Sequence, residues 1–295
     1  MGLDVGFLIQ QFLTGLATAS TLFLLAVGLS LIFGALGIVN FAHGSFYMLG
    51  AYLLYWVVRG DPEGLWWGMA VVAALGLVLG ALVERIFLRP VYPRPEHHQI
   101  LLTYALLLVI EDGVKILFGS AYKSLGPPAS LAMPIWILGA PFPAYYLVQI
   151  LLAAAVAVLL WLFLKRTRVG LWIRAVTQDR EMLEALGIPV PRLLTGVFAL
   201  GIALAALGGA ATLPMQTVSP GVAVEAVISA FIVVVVGGLG SIWGSLLGAF
   251  LIGEIQAFGV MVWPEFSIAF VYLLMAVVLL VRPWGLLGRP PAVRT

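Results

Sequence analysis

The sequence predicts an all-α protein, a polytopic transmembrane helical bundle of about eight or nine membrane segments. Three observations carry that reading. Hydrophobic residues make up 63% of the chain and charged residues only 9%, against roughly 25% charged in soluble domains. Apolar blocks of the roughly 20 residues needed to cross a bilayer recur from end to end. The alternating pattern of a membrane β-barrel is absent. The chain reads as one transmembrane domain, 1–295, with a single long polar loop at 165–192. It holds no cysteine, which removes disulfides, thiolate metal sites and cysteine nucleophiles. The net charge is only +2, with basic residues gathered in a few loops, a pattern of membrane orientation and not of nucleic acid binding. Met1–Gly6 carries Asp4 and no basic residue, so the first apolar block is expected to be retained and not cleaved as a signal peptide.

The blocks, in order, are Phe7–Phe33, Ile38–Val58, Leu65–Leu88, Gln99–Gly119, Tyr145–Leu164, Leu193–Leu213, Val222–Val236, Gly244–Val262 and Ser267–Val281. Several are crowded with small residues, as in Gly201–Ala211, which lets helices approach closely in lipid. Arg85, Arg89 and Arg94 flank the third connection, and Arg282, Arg289 and Arg294 follow the last block. Lys165–Arg192 holds six of the 15 basic residues, whereas Arg59–Gly64 and Thr212–Gly221 are nearly neutral. Excess Lys and Arg mark the cytoplasmic side, which places the C-terminus and the 165–192 loop inside and the N-terminus outside. Ala121–Ala144 is the sizeable non-helical piece on the outer side. Its Pro-Pro and Gly-Ala-Pro turns suit a plain connection, or a short hairpin or lid serving as a docking or gating surface.

Two blocks are broken by similar glycine runs. Gly34–Leu53 and Gly237–Leu251 both open Gly-x-Leu-Gly, continue to Gly-Ser and end Leu-Gly-Ala-aromatic-Leu. A broken helix frees backbone groups that are tolerated at membrane depth only beside protein or a water-filled cavity, and matched breaks point to a transporter's binding site and gate. Asn40 and His43 are then candidates to line such a cavity. The alternative is that the glycines simply pack helices closely and Asn40 caps a helix end. Charges inside blocks are costly and normally face the bundle interior or water. Glu111 and Lys115 are four residues apart and neutralise each other. Glu254 has no partner within a turn, so it needs a backbone donor, a second subunit or water. His97 and His98, in the Pro-rich stretch Arg89–His98 beside Glu96, read as a solvated loop and not as a metal site.

Within Lys165–Arg192, Trp172, Val176, Leu183, Leu186 and Ile188 recur at near-helical spacing among polar neighbours. Asp179 suits the N-cap of a second short helix over 180–186, Gly187 suits its C-cap, and Pro189 and Pro191 stop it. The spacing predicts an amphipathic helix–elbow–helix that lies on lipid headgroups or fills a groove on a soluble partner.

The run RAVTQDREMLEALGIPV at Arg174–Val190 resembles the cytoplasmic "EAA"-type loop of bacterial ABC importer permeases. Gly28–Tyr52 and Val235–Gly253 are similar to the H-type permease subunit of high-affinity branched-chain amino-acid importers. The likeness runs in order over most of the chain. It implies a fold related to type II ABC importer permeases in the bacterial inner membrane. It also implies a heterodimer with a second, M-type permease, two cytoplasmic ATPases and a periplasmic amino-acid-binding protein. By that resemblance Arg174, Ala175, Asp179, Glu184, Ala185 and Gly187 couple to an ATPase cleft. Asn40, His43, Gly44, Ser45, Gly237, Gly238, Gly240 and Ser241, with Glu254, border the translocation path. The family often carries an acidic residue after its His-Gly, where this chain has Ser45. The chain lacks any Gly-x-x-x-x-Gly-Lys-Ser/Thr run, so it is expected to bind no cofactor, with ATP-Mg held by the partner ATPases. The expected cargo is a branched-chain or related amino acid, with urea or short amides as the alternative. An ion-coupled secondary carrier would need more intramembrane carboxylates than Glu254 alone.

Overall fold

The structure is a computed structural model that describes residues 5–137 and 139–288. Asp4, Arg289 and Arg294 lie outside those residues. The helices are α1 (Val5–Leu36), α2 (His43–Val57), α3 (Leu65–Val83), α4 (Glu96–Phe118), a single turn α5 (Ala129–Ala132), α6 (Ala144–Arg166), α7 (Arg168–Val176), α8 (Arg180–Ala185), α9 (Val190–Thr212), α10 (Val222–Gly237), α11 (Ile242–Val262) and α12 (Ser267–Val281). Among the described residues the strands form an antiparallel hairpin, β1 (Pro134–Ile137) with β2 (Ala140–Pro143), in the stretch whose proline-rich turns suit either a plain connection or a short hairpin.

Among the described residues, six helical segments are long and apolar enough to cross a membrane: Val5–Leu36, Pro62–Val91, Ala144–Arg166, Val190–Thr212, Ile242–Val262 and Pro264–Val281. The expected eight or nine is therefore a count of apolar blocks rather than of full-length helices. The block at 38–58 spends its first residues on a loop, leaving α2 with 15 residues, and α10 has 16. At 1.5 Å per residue these rise about 22–24 Å, short of the roughly 30 Å hydrocarbon core. The 23-residue α4 carries Glu111, Asp112 and Lys115. His97 and His98 stand in its first turn and not in a loop, because Pro95 ends the preceding turn and supplies the extended residue before a helix start.

Hydrogen bonds sort the connections into two faces. On one, Gln10 donates to the Pro141 carbonyl (2.7 Å), the Ala129 amide donates to Glu63 (2.7 Å), and Lys123 and Val218 exchange backbone bonds of 3.0 and 2.9 Å. This face also exposes Trp56, Trp66, Tyr122 and Trp136, the residue types of a membrane interface. On the other, the Leu286 and Leu287 amides close on the Val236 and Gly237 carbonyls at the end of α10 (2.9 Å each).

Helix α9 is the hub, packed against α1, α2 and α3 with most of its length buried. Outer helices α3, α6 and α12 leave Val78, Leu159 and Leu280 exposed, as lipid-facing surfaces require. The two glycine runs are related in backbone as well as sequence. Each ends a helix and turns through a left-handed glycine, Gly37 (φ 69°) and Gly240 (φ 76°), before the next begins. The breaks also touch: a Cβ on Gly240 would stand 2.9 Å from the Cα of Gly34.

Candidate functional site

The helix–elbow–helix forms as the spacing predicts. Thr167 caps α7 by accepting from the Gly170 amide (3.0 Å), and Asp179 caps α8 by accepting from the Met182 amide (2.8 Å). Gly187, at φ 77°, donates to the Glu184 carbonyl (3.0 Å) while Ile188 donates to that of Leu183 (3.1 Å). That pair of bonds is the Schellman ending, open chiefly to glycine. Ile173, Val176 and Leu183 are buried and anchor the elbow. Arg174 folds its guanidinium back to the Leu164 carbonyl at the end of α6, so it fastens the elbow to the bundle. Ala175 is half-buried.

The outward side of α8 has a different composition. Met182 is 56% and Leu186 71% exposed, with Ala185 also exposed between them. Glu184 lies on the same short helix, paired to Arg180 at 3.0 Å. An anchored helix that displays apolar side chains beside an ion pair has the make-up of a docking surface. Beneath the elbow lies a cavity of about 280 Å³ walled by Phe163, Trp172, Ile188, Leu193 and Val197, with Arg192 contributing a cation.

The residues of the first break are interior. Asn40, His43 and Ser45 have no solvent exposure. His43 Nε2 lies 2.8 Å from the Leu25 carbonyl, which only accepts, so Nε2 carries the proton. Its Nδ1 and both amide atoms of Asn40 have no hydrogen-bond partner among the described residues. Ser45 donates to the Leu107 carbonyl (3.2 Å), and Thr103 donates to that of Val39 (3.3 Å), so α4 clasps the break. Gly44 packs on Val227 of α10, its absent Cβ leaving room for that backbone. In the second break, Gly237 is buried against Gly244 and Gly238 against Gly288. Gly240 is exposed, and Ser241 caps α11 by accepting from the Gly244 amide (3.0 Å). Thus the two breaks come together, and α7 of the elbow packs on α1, the helix that leads into the first of them.

Glu254 lies on α11 with its carboxylate in the notch left by Gly15 of α1. Neither oxygen has a hydrogen-bond partner among the described residues. The Glu111–Lys115 pair forms as expected at 3.0 Å, with Asp112 joining at 3.0 Å. Among the described residues no group of three or more His, Asp or Glu side chains is placed to hold a metal.

Sequence reasoning missed Glu84. It opens a five-residue π-helical turn after α3 and is completely buried. Arg89, Tyr92 and Thr195 all bond to it. Burial and the neighbouring carboxylate push the Tyr92 phenol well above its usual range, so it stays a donor. Its partners lie 5, 8 and 111 residues away, and no local pattern announces them.

A family model described as the permease component of the branched-chain amino acid transport system matches residues 11–281. The chain is 31% identical over 296 residues to the high-affinity branched-chain amino acid transport system permease protein BraD of Pseudomonas aeruginosa, with 96% of each covered. It is 28% identical over 300 residues to the corresponding protein LivH of Escherichia coli, again with 96% of each covered. Among solved structures, PsaBC from Streptococcus pneumoniae in complex with Fab aligns over 91% of this chain and 89% of its own, at 14% identity and a TM-score of 0.45.

Proposed function

This chain belongs to the branched-chain amino acid transport permease family, and we propose that, as the permease subunit of an ABC importer, it forms the path for branched-chain amino acids. ATP is hydrolysed by two partner ATPases on the cytoplasmic side. A second permease completes the path as a heterodimer, and an external binding protein delivers the solute. The elbow and the C-terminus face the cytoplasm, as the basic loops require, and the short α2 and α10 with the charge-bearing α4 complete the membrane domain beside the six long apolar segments.

The observation that carries the coupling role is the exposed Met182–Leu186 face on an elbow otherwise fastened to α6 and α9. Apolar side chains fit a groove, and the Arg180–Glu184 pair orients the fit. Closure of the ATPases then pulls on a fixed point of the bundle. The touching breaks at Gly34 and Gly240 serve as the gate, with Asn40, His43, Gly44 and Ser45 on one side and Gly237, Gly238 and Ser241 on the other. The unmet hydrogen-bonding capacity of Asn40 supports a polar passage there, because such groups are costly to bury idle. Glu254 borders the same path from α11. Neither of its oxygens finds a hydrogen-bond partner among the described residues, so it stands in no relay, which favours the ATP-driven reading over ion coupling.

The test is uptake of radiolabelled leucine in cells carrying the whole system. Uptake continues after depolarisation and stops on ATP depletion. Glu184→Lys, which reverses the charge on the docking face, is inserted normally but transports no leucine. Normal uptake by that variant overturns the coupling role. Uptake of urea in place of leucine would reassign the cargo and leave the machine intact.

A further inference from the structure

We propose that Glu84 is the positioning residue that carries displacement of the elbow into the bundle, by locking the first turn of α9 to the end of α3. This rests on the coupling role proposed for α7 and α8.

The geometry is specific. Glu84 Oε1 accepts from Arg89 Nε (3.3 Å) and from the Tyr92 hydroxyl (3.1 Å). Its Oε2 accepts from Arg89 Nη2 (3.1 Å) and from the Thr195 hydroxyl (2.7 Å). Arg89 Nη2 reaches on to the Pro191 carbonyl (3.1 Å) and to the Thr195 hydroxyl. Both Pro191 and Thr195 stand in the opening turns of α9, just beyond the Gly187 ending of α8. One buried carboxylate therefore joins the π-helical turn, the short turn at Arg89–Val91 and the start of α9.

Two further features favour a mechanical role over a purely stabilising one. Glu84 is wholly buried while the Arg89 side chain keeps 38% of its surface exposed, and taking a carboxylate out of water is costly even when it is paired, so the contact is weak evidence of a stabilising role alone. Single π-helical turns are uncommon and concentrate at functional positions. The linked helices are also in close register along their length, with Gly76 of α3 against Ala203 and Gly80 against Ala199. A lock at their cytoplasmic ends makes α3 and α9 move together. Without it, α9 can follow the elbow while α3 stays behind.

The experiment uses the complete importer in liposomes, with its binding protein and leucine as the probe, and compares leucine moved with ATP hydrolysed. Glu84→Gln keeps the side chain's shape and removes its charge; Thr195→Val removes one donor; Thr195→Ser restores it. Assembly with the ATPases and their basal hydrolysis stay within about twofold of the parent, while leucine moved per ATP falls about tenfold in Glu84→Gln and Thr195→Val. Thr195→Ser keeps the parent ratio, which a loss of packing alone would not restore selectively. An unchanged ratio in an assembled Thr195→Val complex overturns the proposal even if Glu84→Gln fails to assemble. If Glu184→Lys blocks uptake while Glu84→Gln and Thr195→Val behave as the parent, this lock alone is wrong; if Glu184→Lys transports normally, the coupling role falls and the lock with it.

Discussion

Asn40 sets a balance between stability and function in one side chain. Both of its amide atoms are buried without a partner among the described residues, and each such group costs about 1–3 kcal/mol in a packed interior. Asn40→Leu is accordingly expected to raise, or at least hold, the melting temperature of the detergent-solubilised protein while leucine uptake is lost. A variant that melts lower and still transports would show that the amide serves packing. Gly187 poses the reverse case, because its left-handed backbone is needed for the ending of α8. A side chain there strains the turn by about 1–3 kcal/mol, which is small for the whole fold and large for a six-residue helix. Gly187→Asp should therefore insert and melt like the parent but fail to retain the ATPases in a pull-down. Retention of the ATPases would mean that the ending of α8 does not matter for docking.

On the gate role proposed above, the fit of the two glycine breaks to each other decides whether the bundle moves. Gly34→Leu would push a branched side chain into the backbone of Gly240, already in contact. We expect membrane insertion to persist and uptake to fall at least tenfold, a loss of about 1.4 kcal/mol in the rate-limiting rearrangement; full uptake would remove the breaks from the gate. These elements were legible because their signals are local. Gly37 and Gly240 sit at matching places in two similar runs, Asp179 lies three residues from the amide it caps, and Glu111 lies four from Lys115. Sequence failed where the partner is distant or the block is mixed. Thr195 is 111 residues from Glu84, so Arg89 read as a marker of sidedness and not as the partner of a buried carboxylate. The glycine run marked a break near 38–58, but Asn40 falls in the loop and His43 and Ser45 in α2, so hydropathy could not set where the loop ends and α2 begins. Nor could residue type reveal that Arg174 turns inward to Leu164 while Met182 and Leu186 face out.

For the whole molecule, the orientation proposed above puts the face bearing the elbow toward the cell interior, the side that excess Lys and Arg mark. Because the chain holds no cysteine, a single introduced thiol reports its side directly. Trp136→Cys, on the exposed hairpin, should react with a membrane-impermeant maleimide in intact cells, and Glu181→Cys, on α8, only after permeabilisation. The opposite pattern would invert the molecule and remove the ATPase contact. The elbow is tied at both ends, to α6 through Arg174 and to α9 through the turn at Gly187. A force applied between those ties does not lift the molecule as a block. On the coupling role proposed above, it twists α6 against α9, as a crank does, so travel below is spent as rotation above.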